Sequence, residues 1–135
     1  MTRYNMQTDR GQLIAEAAER LLRRERKIHS LREQRRERAR EWAFRVAAQL
    51  GKAEPGLEKV IGFGSTFETW RTFREDSDID LAVIGGDWFR LTRSLPPGEF
   101  EVSIVELELQ NQEFISHVLT NGQVLYIRGM DYENY

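Results

Sequence analysis

The 135-residue sequence contains no cysteine. Disulfides and thiolate metal sites are therefore excluded, and a reducing, cytoplasmic setting is expected. Histidine is nearly absent too. His29 and His117 stand far apart, each is read as a structural or surface residue, and no histidine metal site or catalytic pair is expected. No apolar run approaches the ~20 residues that a bilayer span needs. The opening MTRYNMQTDRGQ lacks the apolar region of a signal peptide, so no membrane association is expected. The three prolines fall in two turn signals, Pro55-Gly56 and Pro96-Pro97-Gly98.

What is present describes one domain with an appendage. A hydrophobic fraction of 40% and a charged fraction of 31% suit a soluble chain with a modest core. The net charge of −2 hides an asymmetry. Residues 1–60 carry 15 Lys/Arg against 9 Asp/Glu, a net of +6, while residues 61–135 carry 5 against 13, a net of −8. Such a split argues for two parts with different roles. We divide the chain into an Arg-rich helical segment, 1–57, and a core, 58–130.

In the first part Ile14, Ala18, Leu21, Leu22 and Ile28 recur at helical spacing. Ser30 with Glu33 three residues on matches a capping box, which predicts a break or kink at His29-Ser30. Ala39, Trp42, Ala43, Val46 and Leu50 then form a clear amphipathic stripe, with Gly51 as its expected C-terminal cap. The Arg-rich helix admits three readings. It is a solvated helix laced with Glu–Arg pairs, a contact helix for a partner or a second copy, or a nucleic-acid binder. The acidity of the second part argues against nucleic acid around its own motif.

The second part alternates short strands and helices. Lys59–Phe63, Ile79–Ile84, Phe100–Leu107 and Val124–Ile127 read as strands, with helices over Trp88–Leu95 and Gln110–Leu119. Asp87 is positioned to cap the first of these helices, and the last six residues read as a tail. The expected fold is α/β (α+β), a small mixed sheet of about four strands with packed helices. Of the loop aromatics Phe67, Trp70 and Phe73, loop packing is the plain reading and base stacking or partner docking the sharper one.

One stretch carries the chemistry: GFGSTFETWRTFREDSDIDLAV, Gly62 to Val83. Gly64-Ser65 ends a strand and offers a tight turn whose backbone donors and hydroxyl suit a phosphate. Asp78 and Asp80 open the next strand and, at period 2, share one side. Two carboxylates together repel unless a cation joins them, and a site of few acids with open positions suits Mg²⁺ beside substrate phosphates. The pattern points to phosphoryl or nucleotidyl transfer.

The run Gly64-Ser65 … Ser77-Asp78-Ile79-Asp80-Leu81 resembles the DNA polymerase β-like nucleotidyltransferases, and more closely their minimal members, which are often paired with a HEPN-domain protein as antitoxin and toxin. Val118-Leu119 and Gly122-Gln123-Val124-Leu125-Tyr126 are similar to the closing helix and strand of that group, so the likeness covers about residues 58–127. The resemblance implies that Gly64 and Ser65 hold nucleotide phosphates and that Asp78 and Asp80 ligate Mg²⁺. It further implies AMP transfer from ATP to a hydroxyl of a HEPN-type partner. Three departures stand out. Twelve residues separate Ser65 from Asp78, about two more than usual; Thr69 replaces a common glycine; and Ser103 takes the position of the third carboxylate. Glu101, on the same strand face, is the substitute acid the sequence offers, while Glu106 falls on the opposite face. Two readings follow: an active transferase, or a degenerate binding protein that masks its partner.

Overall fold

The structure is a computed structural model that describes residues 3–130, with side chains from residue 9 onward. Of the expected tail, all but Met130 lies outside these residues. Packing groups the chain into Met1–Gln34 and Arg35–Tyr135. The division drawn from charge and periodicity fell at residue 57.

Helix α1 runs over Arg3–Ala53, so the break expected at His29-Ser30 is absent. A capping box needs its serine outside helical geometry, whereas Ser30 is helical with helix formers on both sides. Every residue from 9 to 34 is exposed, including Ile14, Leu21, Ile28 and Leu31. From Arg35 the same helix changes character. Ala39, Ala43, Val46 and Leu50 of the stripe that the sequence spacing marked out are fully buried, with Trp42 half-buried beside them and Ala47 added to the buried set.

Gly51 is not the cap. It lies within α1, and a side chain there would run into the Tyr126 ring, so glycine serves close approach rather than termination. The helix ends instead where Pro55 restricts Glu54 and where Arg128 takes the final carbonyls. The Arg128 guanidinium donates to Gly51 O at 2.7 Å, Glu54 O at 2.8 Å and Leu57 O at 2.6 Å.

Four strands follow: β1 (Leu57–Phe63), β2 (Ile79–Gly85), β3 (Val102–Glu106) and β4 (Gln123–Ile127). They form the expected mixed sheet of four strands, in the order β3-β2-β1-β4. β1 is antiparallel to β2 and β4, and β2 is parallel to β3. Between β2 and β3 lies α2 (Trp88–Arg93), capped by Asp87, whose carboxylate accepts from Phe89 N–H and Arg90 N–H. Between β3 and β4 lies α3 (Gln112–Asn121), capped by Asn111 through Phe114 N–H.

The two faces of the sheet are covered differently. One face packs Leu57, Val60, Ile79, Leu81, Val83 and Ile104 against the buried stripe of α1. The other packs Ile61, Ala82 and Leu107 against Val118 of α3, with Phe63 and Phe114 meeting edge to face at 5.3 Å. Register puts Asp80 on this second face with Ala82, because side chains alternate along a strand.

Candidate nucleotide site

The site begins where β1 ends. Gly64 adopts φ +74°, a conformation that L side chains rarely take, and Gly64–Thr66 form a single 3-10 turn. A Cβ on Gly64 would point into the Asp80 carboxylate. Glycine is thus required twice here, for its backbone and for the approach of Asp80. Phe63 pairs with Asp80 across the antiparallel ladder, so the turn and the acid belong to adjacent strand ends.

Asp80 lies within β2, and Asp78 stands two residues earlier, just ahead of the strand. Burial pushes the Asp80 carboxyl above its ordinary range, and the charge of Asp78 pushes it further. Arg71 opposes the rise and Glu68 adds to it. These four groups therefore share one electrostatic neighbourhood.

Across the parallel ladder Asp80 faces Ser103, so the position read from sequence as lacking a third carboxylate is opposite the second aspartate. Glu101 precedes β3, is exposed, and contributes its backbone carbonyl to Ile79 N–H at 2.9 Å. Among the described residues no group of three or more His, Cys, Asp or Glu is arranged to hold a metal ion. The donor set is two carboxylates beside a turn with a serine hydroxyl, leaving most of a hard cation's positions to water or phosphate oxygen. That composition fits Mg²⁺, which keeps several such ligands.

Two further residues were not assigned to this site from sequence. Glu68 is 1% exposed. Its carboxylate accepts Gly64 N–H at 2.5 Å and meets His117 Nε2 at 2.5 Å. The donor of Gly64 read as phosphate-facing is thus already engaged inside the protein. His117, read as a structural or surface residue, is anchored beside the turn. No spacing could have announced this pair, because 49 positions separate its members.

The loop aromatics divide: Phe67 and Phe73 are buried, whereas Trp70 is exposed. A cavity of about 890 Å³, mainly apolar, lies between α1 and β4 with Phe44, Gly51 and Tyr126 in its walls. It includes none of Gly64, Asp78 or Asp80, and an acid-flanked phosphate turn is the better candidate on chemistry. No described helix is long and apolar enough to cross a membrane.

No curated protein matches the chain. Among solved structures, that of a Sulfolobus solfataricus protein is similar at 16% identity and TM-score 0.50, over 72% of this chain and 87% of that one. That likeness concerns the fold. An MntA–HpeT toxin–antitoxin structure with two substitutions matches at 23% identity and TM-score 0.49, over 67% of this chain and 76% of that one. A toxin–antitoxin structure with AMP-PNP matches at 24% identity and TM-score 0.49, over 64% and 74%. The family described as polymerase beta, nucleotidyltransferase matches residues 48–131, a span that takes in the end of α1, the whole sheet and the Gly64–Asp80 site. This chain belongs to the polymerase β nucleotidyltransferase family.

Proposed function

We propose that the protein transfers AMP from ATP to a hydroxyl of a partner protein, with a HEPN-type toxin as that partner and the protein as its antitoxin. The observation that carries the reading is the Gly64 turn set against Asp80, with Asp78 close enough to act on the same carboxyl. The motif resemblance around Gly64-Ser65 and Asp78/Asp80 supplies the nucleotide and the partner class.

In this reading the Gly64–Ser65 turn orients the triphosphate and Asp78 with Asp80 hold Mg²⁺. The cation supplies charge neutralisation and polarisation at the phosphate. The acceptor oxygen bonds to the α-phosphorus, the bond from that phosphorus to the bridging oxygen breaks, pyrophosphate leaves, and the hydroxyl proton passes to a base. Ser103 cannot serve as that base at neutral pH, and Glu101 is the nearby exposed acid. A cytoplasmic site of action goes with this reading.

One observation favours a second reading. Ser103, opposite Asp80, leaves the site without the third acid of active relatives, which suits a degenerate binding protein that neutralises its partner by masking it. The test is thermal unfolding with ATP, GTP, CTP and UTP, each with and without Mg²⁺, beside an Asp78→Asn/Asp80→Asn variant. A nucleotide at 100 times its Kd adds ~2.7 kcal/mol to the folded state. We expect ATP with Mg²⁺ to stabilise the wild-type chain and not the variant. Stabilisation without AMP transfer to a HEPN partner, with transfer appearing in Ser103→Asp, would select the masking reading. No shift with any nucleotide would exclude the transferase reading and leave the masking one.

A further inference from the structure

We propose that Glu68 is a positioning residue of this site, braced from α3 by His117, and that it sets the Gly64–Thr66 turn against Asp80. The inference rests on the nucleotide reading above. A carboxylate 1% exposed is costly unless its oxygens are satisfied. Here both are: Oε2 accepts Gly64 N–H, and Oε1 meets His117 Nε2 at 2.5 Å with Arg71 Nε at 3.5 Å.

The grip on Gly64 is two-sided. Glu68 takes the Gly64 N–H through its side chain, while its own N–H donates to Gly64 O at 2.8 Å. Both polar groups of the residue at φ +74° therefore end on Glu68. Holding a glycine in that region removes the backbone freedom that would otherwise be lost on ligand binding, which is the way preorganisation improves affinity. The opposite wall of the same glycine is Asp80, so the clamp also fixes the spacing between turn and acid.

The brace continues into α3. Asn121 Nδ2 lies 3.3 Å from His117 Nδ1 and donates to His117 O at 3.2 Å. With the Asn121 amide donating to Nδ1, the ring proton sits on Nε2 and faces the Glu68 carboxylate, an assignment made from the network. The path runs from α3 through His117 and Glu68 to Gly64. Because Gly64 N–H is engaged, the phosphate contacts fall to Ser65 and the groups beyond it. Glu68 also brings a further negative charge toward Asp80 from the β1 side, whereas β3 offers only Ser103.

The experiment uses the full ¹⁵N-labelled chain and two readouts: the Gly64 amide proton shift, and the affinity for the fluorescent analogue mant-ATP with Mg²⁺. In Glu68→Ala the Gly64 amide should move upfield and mant-ATP should bind about tenfold more weakly, the lower end of what outer partners of a site contribute. Glu68→Gln keeps an acceptor for Gly64 N–H and should hold the amide shift and most of the affinity. His117→Gln should fall between these, and it also decides the matter if Glu68→Ala does not fold. A lower melting temperature with unchanged affinity in the folded protein would overturn the proposal, leaving Glu68 a purely structural group. Tighter binding in Glu68→Ala would overturn it as well, since the carboxylate would then be competing with phosphate. Failure of the wild-type chain to bind mant-ATP would overturn the nucleotide reading instead. A Gly64 amide that still follows Glu68 would then show the brace without a nucleotide to position.

Discussion

The two faces of the sheet teach different things about the same backbone. Toward α1 the face is a continuous apolar layer, with Leu57, Val60, Ile79, Leu81 and Val83 buried among alanines of the helix. Toward α3 the buried apolar set is smaller, Ile61, Ala82, Leu107 and Val118, and its end at Gly64 is occupied by polar groups: Asp80, Glu68 and His117. One face supplies stability through area removed from water. The other accepts an electrostatic penalty at Asp80, which is the usual mark of a site shaped for chemistry.

The comparison can be broken most severely from the α1 side. Leu81→Ala, at a fully buried position, should lower the unfolding free energy by about 2–5 kcal/mol in a urea titration. The surviving folded protein should keep its response to Mg²⁺ and ATP. An equal loss of nucleotide response would show that the two faces are not separable.

A smaller effect on stability and a larger one on binding are expected at Gly64→Ala. Left-handed geometry in an L residue costs about 1–2 kcal/mol, and the new methyl would press on Asp80. Nucleotide stabilisation should vanish in this variant while the fold remains. Ile61→Val, on the α3 face, should cost only about 0.5–1.5 kcal/mol in the same titration.

Asp80→Asn sharpens the contrast because its sign is opposite. The folded-state pKa of Asp80 is raised by burial and by Asp78, so folding disfavours its ionised form. Its favourable contribution is complete below the ordinary carboxylate range and is lost as pH rises through the raised value. Asp80→Asn should therefore melt higher than the wild-type chain at neutral pH, with the gap closing in acid. A lower melting point at neutral pH would show that Arg71 outweighs burial. The smallest effect belongs to Glu99→Gln. Glu99 meets exposed Arg38 at 3.0 Å and half-buried Arg35 at 3.3 Å at the protein surface, and the urea midpoint should not move.

Much of this was readable in one dimension. The strand and helix periods located all four strands to within two residues, and the Asp87 cap follows from side-chain type alone. The misplaced features share a cause. His29-Ser30 and Gly51 carry local signals for helix ends, yet a cap signal acts only when the backbone leaves the helix, and packing decides that. At Gly51 the deciding neighbour is Tyr126, 75 residues away. Glu68 and His117 escaped for a related reason, since neither has a motif and their meaning is their meeting.

The sequence by itself determined the element types, the family and the chain order of Gly64, Ser65, Asp78 and Asp80, because hydrophobic period and motif spacing are local properties. Only the tertiary structure decided that Ser103 stands opposite Asp80, that Gly64 N–H is held by a buried Glu68, and that His117 secures it from α3. Those facts depend on strand register and on chain segments distant in sequence arriving at one place, which residue order constrains only through the packing of the whole sheet.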